Sequence, residues 1–315
     1  MGTAVLGSVE SGLIYAIMAL GVYLTFRILD FPDLTVDGSF TTGGAVAAIM
    51  IVSGYPPLLA TIVAAIAGFF FGAITGVLHT KGKINALLSG ILMMIALYSI
   101  NLRIMDKKAN IGLLGEPTLM SQISAWTTNP SSTLIMVAIL VIIIKFAVDW
   151  FLDTEVGLAL RATGNNPRMI RSFSANTDNT IIIGLALSNG LVALSGALMA
   201  QYQGFSDVSM GIGMIVIGLA SVIIGEAIFG DRSIRRATIA VIGGAIIYRL
   251  VVALALRVGL SPSDMKLMTA LIVIVALIAP KIINNMKEKK RKADRRKRLS
   301  NTSPQWEGGD NNAKA

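Results

Sequence analysis

Residues 38–80 contain no Asp, Glu, Lys or Arg, and charge-free stretches recur at 84–102, 117–144, 179–206 and 208–225. A soluble domain spreads charge over roughly a quarter of its residues. This chain of 315 residues has 14% charged and 54% hydrophobic side chains. A helix needs about 20 apolar residues to cross a hydrocarbon core, and lipid tolerates only backbone whose polar groups are satisfied internally. The pattern therefore reads as an all-α polytopic membrane protein and excludes a soluble enzyme.

Hydropathy and turn formers predict about nine transmembrane helices, within a range of eight to ten, near 9–29, 39–53, 58–78, 84–103, 133–150, 180–200, 211–228, 237–257 and 266–283. The second is short and overlaps the turn-rich run 31–44, so it is expected to be broken or re-entrant. Such a break is tolerated only against protein or a polar cavity. Residues 1–285 then form the transmembrane domain, and 286–315 a basic, disordered tail.

The formal net charge of +9 is unevenly placed: residues 1–280 hold 16 basic and 14 acidic side chains, and the rest lies chiefly in KEKKRKADRRKR at 287–298. Directly after a membrane helix, such a block anchors its end to the cytoplasmic, anionic face rather than binding nucleic acid. Nine crossings then place the N-terminus outside. Arg27, Lys81, Lys83, Arg161, Arg168, Arg171, Arg232, Arg235 and Arg236 fall on the inner side, and Arg103, Lys107, Lys108, Arg257 and Lys266 on the outer one. No basic n-region of a cleavable signal is visible in the first twelve residues. The absence of cysteine excludes thiol chemistry, and the single His79 has no neighbouring ligand cluster for a metal. No phosphate-binding glycine-lysine loop is present.

The glycines at 68, 72 and 76, and Gly184, Ser188 and Gly196 less regularly, offer small faces for close helix packing. Asp37, Ser39, Phe40, Thr41 and Thr42 sit where the second helix begins; Asp37 either caps that helix or meets a solute in the pathway. Ser188 and Asn189, with Asn85, Asn101 and Gln201, are polar groups within or near spans, explained first by interhelical hydrogen bonds. Glu226 closes an apolar run with Arg232, Arg235 and Arg236 close in sequence, an arrangement suited to a latch or gate. Lys145 and Asp149 share a helical face and can neutralise one another. Arg249 lies well inside the eighth helix and must snorkel, pair or line a hydrated path.

Between helices five and six, residues 153–178 contain two short amphipathic patterns separated by the turn signal Gly164 to Pro167. This hairpin is too small for an enzyme domain but suits docking on a partner. Here the chain resembles the transmembrane subunits of bacterial ABC importers of the branched-chain amino acid and ribose permease superfamily. The resemblance rests on GLALRATGNNP at 157–167 with 170–176 downstream, and on GLASVIIGEAIFG at 218–230. It is closest to a branch described as tryptophan or tyrosine transport components.

That resemblance implies a homodimer in the bacterial plasma membrane, two cytosolic ATPase subunits and an extracytoplasmic solute-binding protein. ATP and magnesium would be bound by the ATPase, and no cofactor by this chain. It makes 157–176 the coupling region, with Arg161, Gly164, Asn165, Asn166, Pro167 and Arg168 in its central motif. It also supports 31–44 as a stretch of the pathway. The implied cargo is an amino acid, with sugars, nucleosides and other small solutes open. Two other readings stand beside it: an ion-coupled secondary transporter, which lacks a membrane-embedded carboxylate cluster, and a membrane scaffold acting through its basic tail.

Overall fold

A computed structural model describes residues 2–126, 132–172, 176–257, 267–275 and 278. The chain divides into two compact units, Met1–Val273 and Ile274–Ala315. The first is built from α1 (Gly2–Tyr23), continued by a π-helical turn at Leu24–Ile28, then α2 (Thr35–Val52), α3 (Pro57–Thr80), α4 (Ala86–Ile104), β1 (Asn110–Gly112) and α5 (Leu119–Trp126). There follow α6 (Ser132–Asp153), α7 (Glu155–Asn165), α8 (Pro167–Ser172), α9 (Thr177–Gln203), β2 (Phe205–Asp207), α10 (Met214–Phe229) and α11 (Ile234–Arg257). The two strands are antiparallel, with Ile111 opposite Ser206.

Among the described residues, seven helices, not nine, are long and apolar enough to cross a membrane: α1 with its π turn, α2, α3, α4, α6, α9 and α11. Two expected crossings account for the difference. The one at 211–228 begins only at Met214, because Gly213 takes a left-handed φ of 88°. Its 16 residues rise about 24 Å, short of the ~30 Å hydrocarbon core. The last, at 266–283, is helical over 267–275 and at 278, and otherwise lies outside the described residues, as does the tail 286–315.

The expected break in the second helix is also misplaced. Helix α2 is regular throughout, and the interruption precedes it, at 29–34. There Asp30 adopts a left-handed φ of 53°, Pro32 supplies no backbone donor, and the Asp33 carboxylate accepts the Thr35 amide at 2.9 Å to open α2. The glycines that made 31–44 look turn-rich serve helix packing instead. A Cβ on Gly43 would stand 1.9 Å from the Ala193 carbonyl of α9, and one on Gly38 would stand 2.7 Å from the Leu97 side chain of α4.

The spans divide into central and peripheral sets. Of the apolar windows, 78% of α1, 72% of α2 and 61% of α9 lie inside the protein, against 28–33% for α3, α4, α6 and α11. Polar residues on α2 and α9 are therefore in the protein core, where each needs a partner. The glycines of α3 allow the closest approach: Gly68, Gly72 and Gly76 face Asn189, Leu185 and Ile182 of α9 at distances that no side chain could occupy.

Candidate functional site

Helices α2 and α9 share a buried polar network. The Asn189 amide nitrogen donates to Asp33 Oδ2 at 2.7 Å and to the Leu185 carbonyl at 2.9 Å. Its oxygen accepts the Ser39 hydroxyl at 2.7 Å. Every polar atom of this amide is thus engaged, and Asp33 has both oxygens occupied by Asn189 and Thr35. Burial pushes the Asp33 carboxyl above its ordinary value, opposed by the hydrogen bonds from Asn189 and Thr35. One turn further along α2, the Thr42 hydroxyl lies 2.8 Å from Asn101 Oδ1 and 2.9 Å from the Gly38 carbonyl, while Asn101 donates to that carbonyl at 3.2 Å. Ser188 points the other way, donating to the Gly21 carbonyl of α1 at 2.7 Å.

The stretch 204–213, made of β2 and the turns after it, completes the site. It leaves the strand pair beside the last turns of α2, where Ile111 and Leu113 pack with Ala48 and Ile51, and runs back along α2. Gly44 meets Met210, and Gly211 meets Asp37 and Thr41. Amides of this stretch and of the first turn of α10 are satisfied by α2 side chains: Gly211 N donates to Thr41 Oγ1 at 3.0 Å, Gly213 N to Asp37 Oδ2 at 2.9 Å and Ile215 N to Asp37 Oδ1 at 2.9 Å. Asp37 therefore caps a helix, but it is α10 rather than its own. A carboxylate there answers both the free amides and the positive end of the helix dipole.

Beside this junction is a cavity of about 450 Å³ lined by Asp37, Gly38, Thr41, Met94, Ile95, Tyr98, Ser99, Asn101, Val208 and Ile212. Asp37 and Thr41 of α2 and Ser99 and Asn101 of α4 bring polar groups to it, and Met94, Ile95, Tyr98, Val208 and Ile212 bring apolar surface. That volume lies within the range of small-molecule sites.

The other end of α10 is tied to α1. Arg27, on the π turn, donates through Nε to Glu226 Oε1 at 2.9 Å and through Nη2 to Asp231 Oδ2 at 3.0 Å. One residue on, α7 packs directly against the chain: a Cβ on Gly164 would stand 2.0 Å from the Ile28 carbonyl, so only glycine fits. A second cavity of about 620 Å³ opens here between Arg27, Ile28, Asp30, Arg161, Gly164 and Asn165.

A family model described as a branched-chain amino acid transport system, permease component, matches residues 5–278. The chain belongs to this family. A Clostridioides difficile relative named as a tyrosine transport system permease protein is 44% identical over 282 residues, covering 90% of this chain and 92% of its own. A ribose import permease protein of Haemophilus influenzae is 27% identical, with coverages of 86% and 83%. No solved structure matches. The chain is a non-catalytic membrane permease component of an ABC-type importer and moves a small solute. Secondary transport and a scaffolding role give way to that assignment.

In this permease the sequence-derived candidates fall into separate places. Asp37 and Thr41 line the first cavity, whereas Phe40 is fully buried, stacked at 6.1 Å on Tyr15. Ser39, Thr42, Ser188 and Asn189 face the protein core. Asn166 separates α7 from α8 and accepts the Met169 amide at 3.1 Å, with Pro167 opening α8 and Arg168 exposed. Glu226 takes Arg27 as its partner rather than its sequence neighbours. Arg232 is exposed and in no ion pair among the described residues, Arg235 pairs with Asp153 at 3.0 Å, and Arg236 donates to the Phe229 carbonyl at 2.7 Å. Lys145 and Asp149 form an ion pair, and Thr238 of α11 donates to Asp149 at 2.7 Å. Among the described residues no three His, Cys, Asp or Glu side chains converge for a metal.

The sequence reading missed Asp33, Arg27 and Asp231. Asp33 follows Pro32 in the short connection between two apolar spans, where an acid close to the membrane-spanning segments signals a paired carboxylate.

Proposed function

We propose that this permease imports an amino acid with an aromatic or branched apolar side chain, and that the cavity between α2, α4 and the 204–213 stretch is a station on its path. The observation carrying this is the mixed lining, in which polar groups and apolar side chains border one cavity. Asp37, Thr41 and Asn101 offer acceptors and a negative charge to an ammonium group, while Met94, Ile95, Tyr98, Val208 and Ile212 offer an apolar wall to the side chain. The tyrosine system named for the Clostridioides difficile relative agrees with that chemistry.

Two copies of the chain form the pathway, two cytosolic ATPases bind and hydrolyse ATP, and an extracytoplasmic receptor delivers the solute. The α7–α8 pair docks on the ATPase through Arg161, Gly164, Asn165, Asn166, Pro167 and Arg168. In this reading α7 faces the cytoplasm of a bacterial cell, the tail 286–315 anchors that side, and the N-terminus is outside. The α7 displacement passes through Ile28 and Arg27 to the end of α10, whose start is held by Asp37 in the cavity wall. One rigid half-helix thereby links the ATPase side to the pathway, so two positions of α10 correspond to two states of access.

The test is reconstitution in lipid with the partner ATPase and receptor, with ATP hydrolysis and uptake measured for tyrosine, tryptophan, leucine and ribose. Stimulation by the amino acids and not by ribose is expected. Stimulation by ribose alone overturns the substrate assignment. Unchanged coupling after Asn166→Ala with Pro167→Ala overturns the docking assignment.

A further inference from the structure

A third cavity, of about 220 Å³, lies between α1, α9 and α11, away from the site described above; its walls include Ser8, Ser11, Tyr202, Arg249, Ala253 and Leu256. Arg249 sits within the apolar span Ile234–Arg257, where a cation without a purpose is strongly disfavoured. It is held on two sides. Its Nε donates to Ser11 Oγ at 3.1 Å, and its guanidinium carbon lies 5.0 Å above the Tyr15 ring. Ser11 donates in turn to the Ser8 carbonyl at 3.2 Å, which fixes its oxygen as the acceptor for Arg249.

Among the described residues no carboxylate lies within 4 Å of this guanidinium. Glu10, buried one residue before Ser11, instead accepts the Tyr202 hydroxyl at 3.1 Å. The terminal amino groups of Arg249 therefore retain their donors, and the guanidinium borders an open cavity. A planar fork with its orientation fixed and its outer donors unspent matches the two oxygens of a carboxylate or phosphodiester.

We propose that this cavity is a binding site for a small oxyanion, held bidentately by the Arg249 terminal amines. The oxyanion can come from a solute carboxylate or from a lipid phosphodiester, and the two sources separate by experiment. The site is independent of the α2–α4 cavity and does not rest on the substrate assigned there.

The test uses the full-length permease in phosphatidylcholine nanodiscs, with thermal unfolding as the readout, since a ligand of the folded state raises the melting temperature. One arm titrates acetate against its neutral isostere acetamide. The other compares nanodiscs with and without phosphatidylglycerol. Wild-type protein is expected to be stabilised by acetate but not acetamide, by phosphatidylglycerol, or by both, which identifies the source. Arg249→Lys keeps a charge but loses the fork, and is expected to weaken the response about ten-fold. Ala253→Phe fills the cavity while leaving the Ser11 and Tyr15 contacts in place, and should abolish the response at unchanged ligand-free stability. Wild-type responses in both variants, or no response of wild type in either arm, overturn the proposal.

Discussion

Arg27 and Glu226 are 199 residues apart in sequence and meet through a single Nε to Oε1 hydrogen bond of 2.9 Å. The pair joins the π turn of α1 to the last turn of α10, and Asp231 extends it beyond the helix end. Arg27 is 53% exposed and Glu226 18%, so water screens the arginine and the pair is a modest source of stability, about 1 kcal/mol or less. Its weight is mechanical. The arginine touches Glu226 on α10 and Asp231 just beyond it, and lies next to the α7 contact, so the end of α10 and α7 meet the same stretch of chain.

Glu226→Gln and Arg27→Gln are accordingly expected to lower solute uptake by about ten-fold while shifting the melting temperature little, as a loss near 1 kcal/mol implies. Asp231→Asn should have a smaller effect, because Asp231 is itself exposed. The exchange Arg27→Glu with Glu226→Arg should recover part of the uptake. Uptake and ATP hydrolysis measured together in proteoliposomes check this; uptake unchanged in both single variants removes the pair from the transmission path.

At the opposite end of α10, Asp37 occupies two backbone amides at once. Replacing it by Ala leaves those donors unsatisfied beside an irregular segment, and capping losses of this kind cost about 1–2 kcal/mol. Asp37→Asn retains one acceptor and should cost less. Because Asp37 also lines the cavity, Asp37→Asn is expected to reduce uptake of an amino acid more than it reduces stability. Thermal unfolding and uptake on the same preparations distinguish the two contributions, and proportionate losses in both would leave Asp37 with a capping role alone.

Gly164 offers a steric test. Its missing Cβ would lie 2.0 Å from the Ile28 carbonyl and 2.9 Å from Leu29 backbone atoms, at the end of the π turn and just after it. Gly164→Ala forces α7 away from α1, with a cost of about 1–3 kcal/mol typical of overpacking. The expected signature is ATP hydrolysis that continues in the assembled complex while uptake falls, since the docking face proposed for α7 is intact but its contact with α1 is not. Normal uptake in Gly164→Ala would show that the close approach is not needed for coupling.

How far these relationships could be read from sequence depends on distance along the chain. The membrane class, most spans and the polar run at 37–42 follow from local composition, because the length of an apolar segment and the scarcity of charges within it are local quantities. The partner of each polar residue is not local. Glu226 has three arginines within ten residues, yet takes Arg27, because α10 ends beside the π turn and Gly230 turns the chain so that Arg236 caps the Phe229 carbonyl. Glycine was equally ambiguous. The same Gly38, Gly43 and Gly44 that imply a break in water-exposed chain sit inside a regular helix here, because neighbouring helices use the space.

Asp33 gives a prediction in which pH supplies the test. It lies in the connection between two spans, and burial raises its carboxyl above the ordinary carboxylate value. For a group whose folded value is raised, the proton binds more tightly to the folded than to the unfolded chain. Its contribution to stability is fully present below the unfolded value and is lost as pH rises through the folded one. Lowering the pH from neutral toward the ordinary carboxylate range should therefore stabilise wild type relative to Asp33→Asn, which carries no such proton. The amide variant also places a donor against the Asn189 nitrogen, so it starts lower at neutral pH unless the network reverses. Melting temperatures of the two proteins across that pH range check the slope. A difference that stays constant with pH, or that narrows on acidification, contradicts the raised value for Asp33.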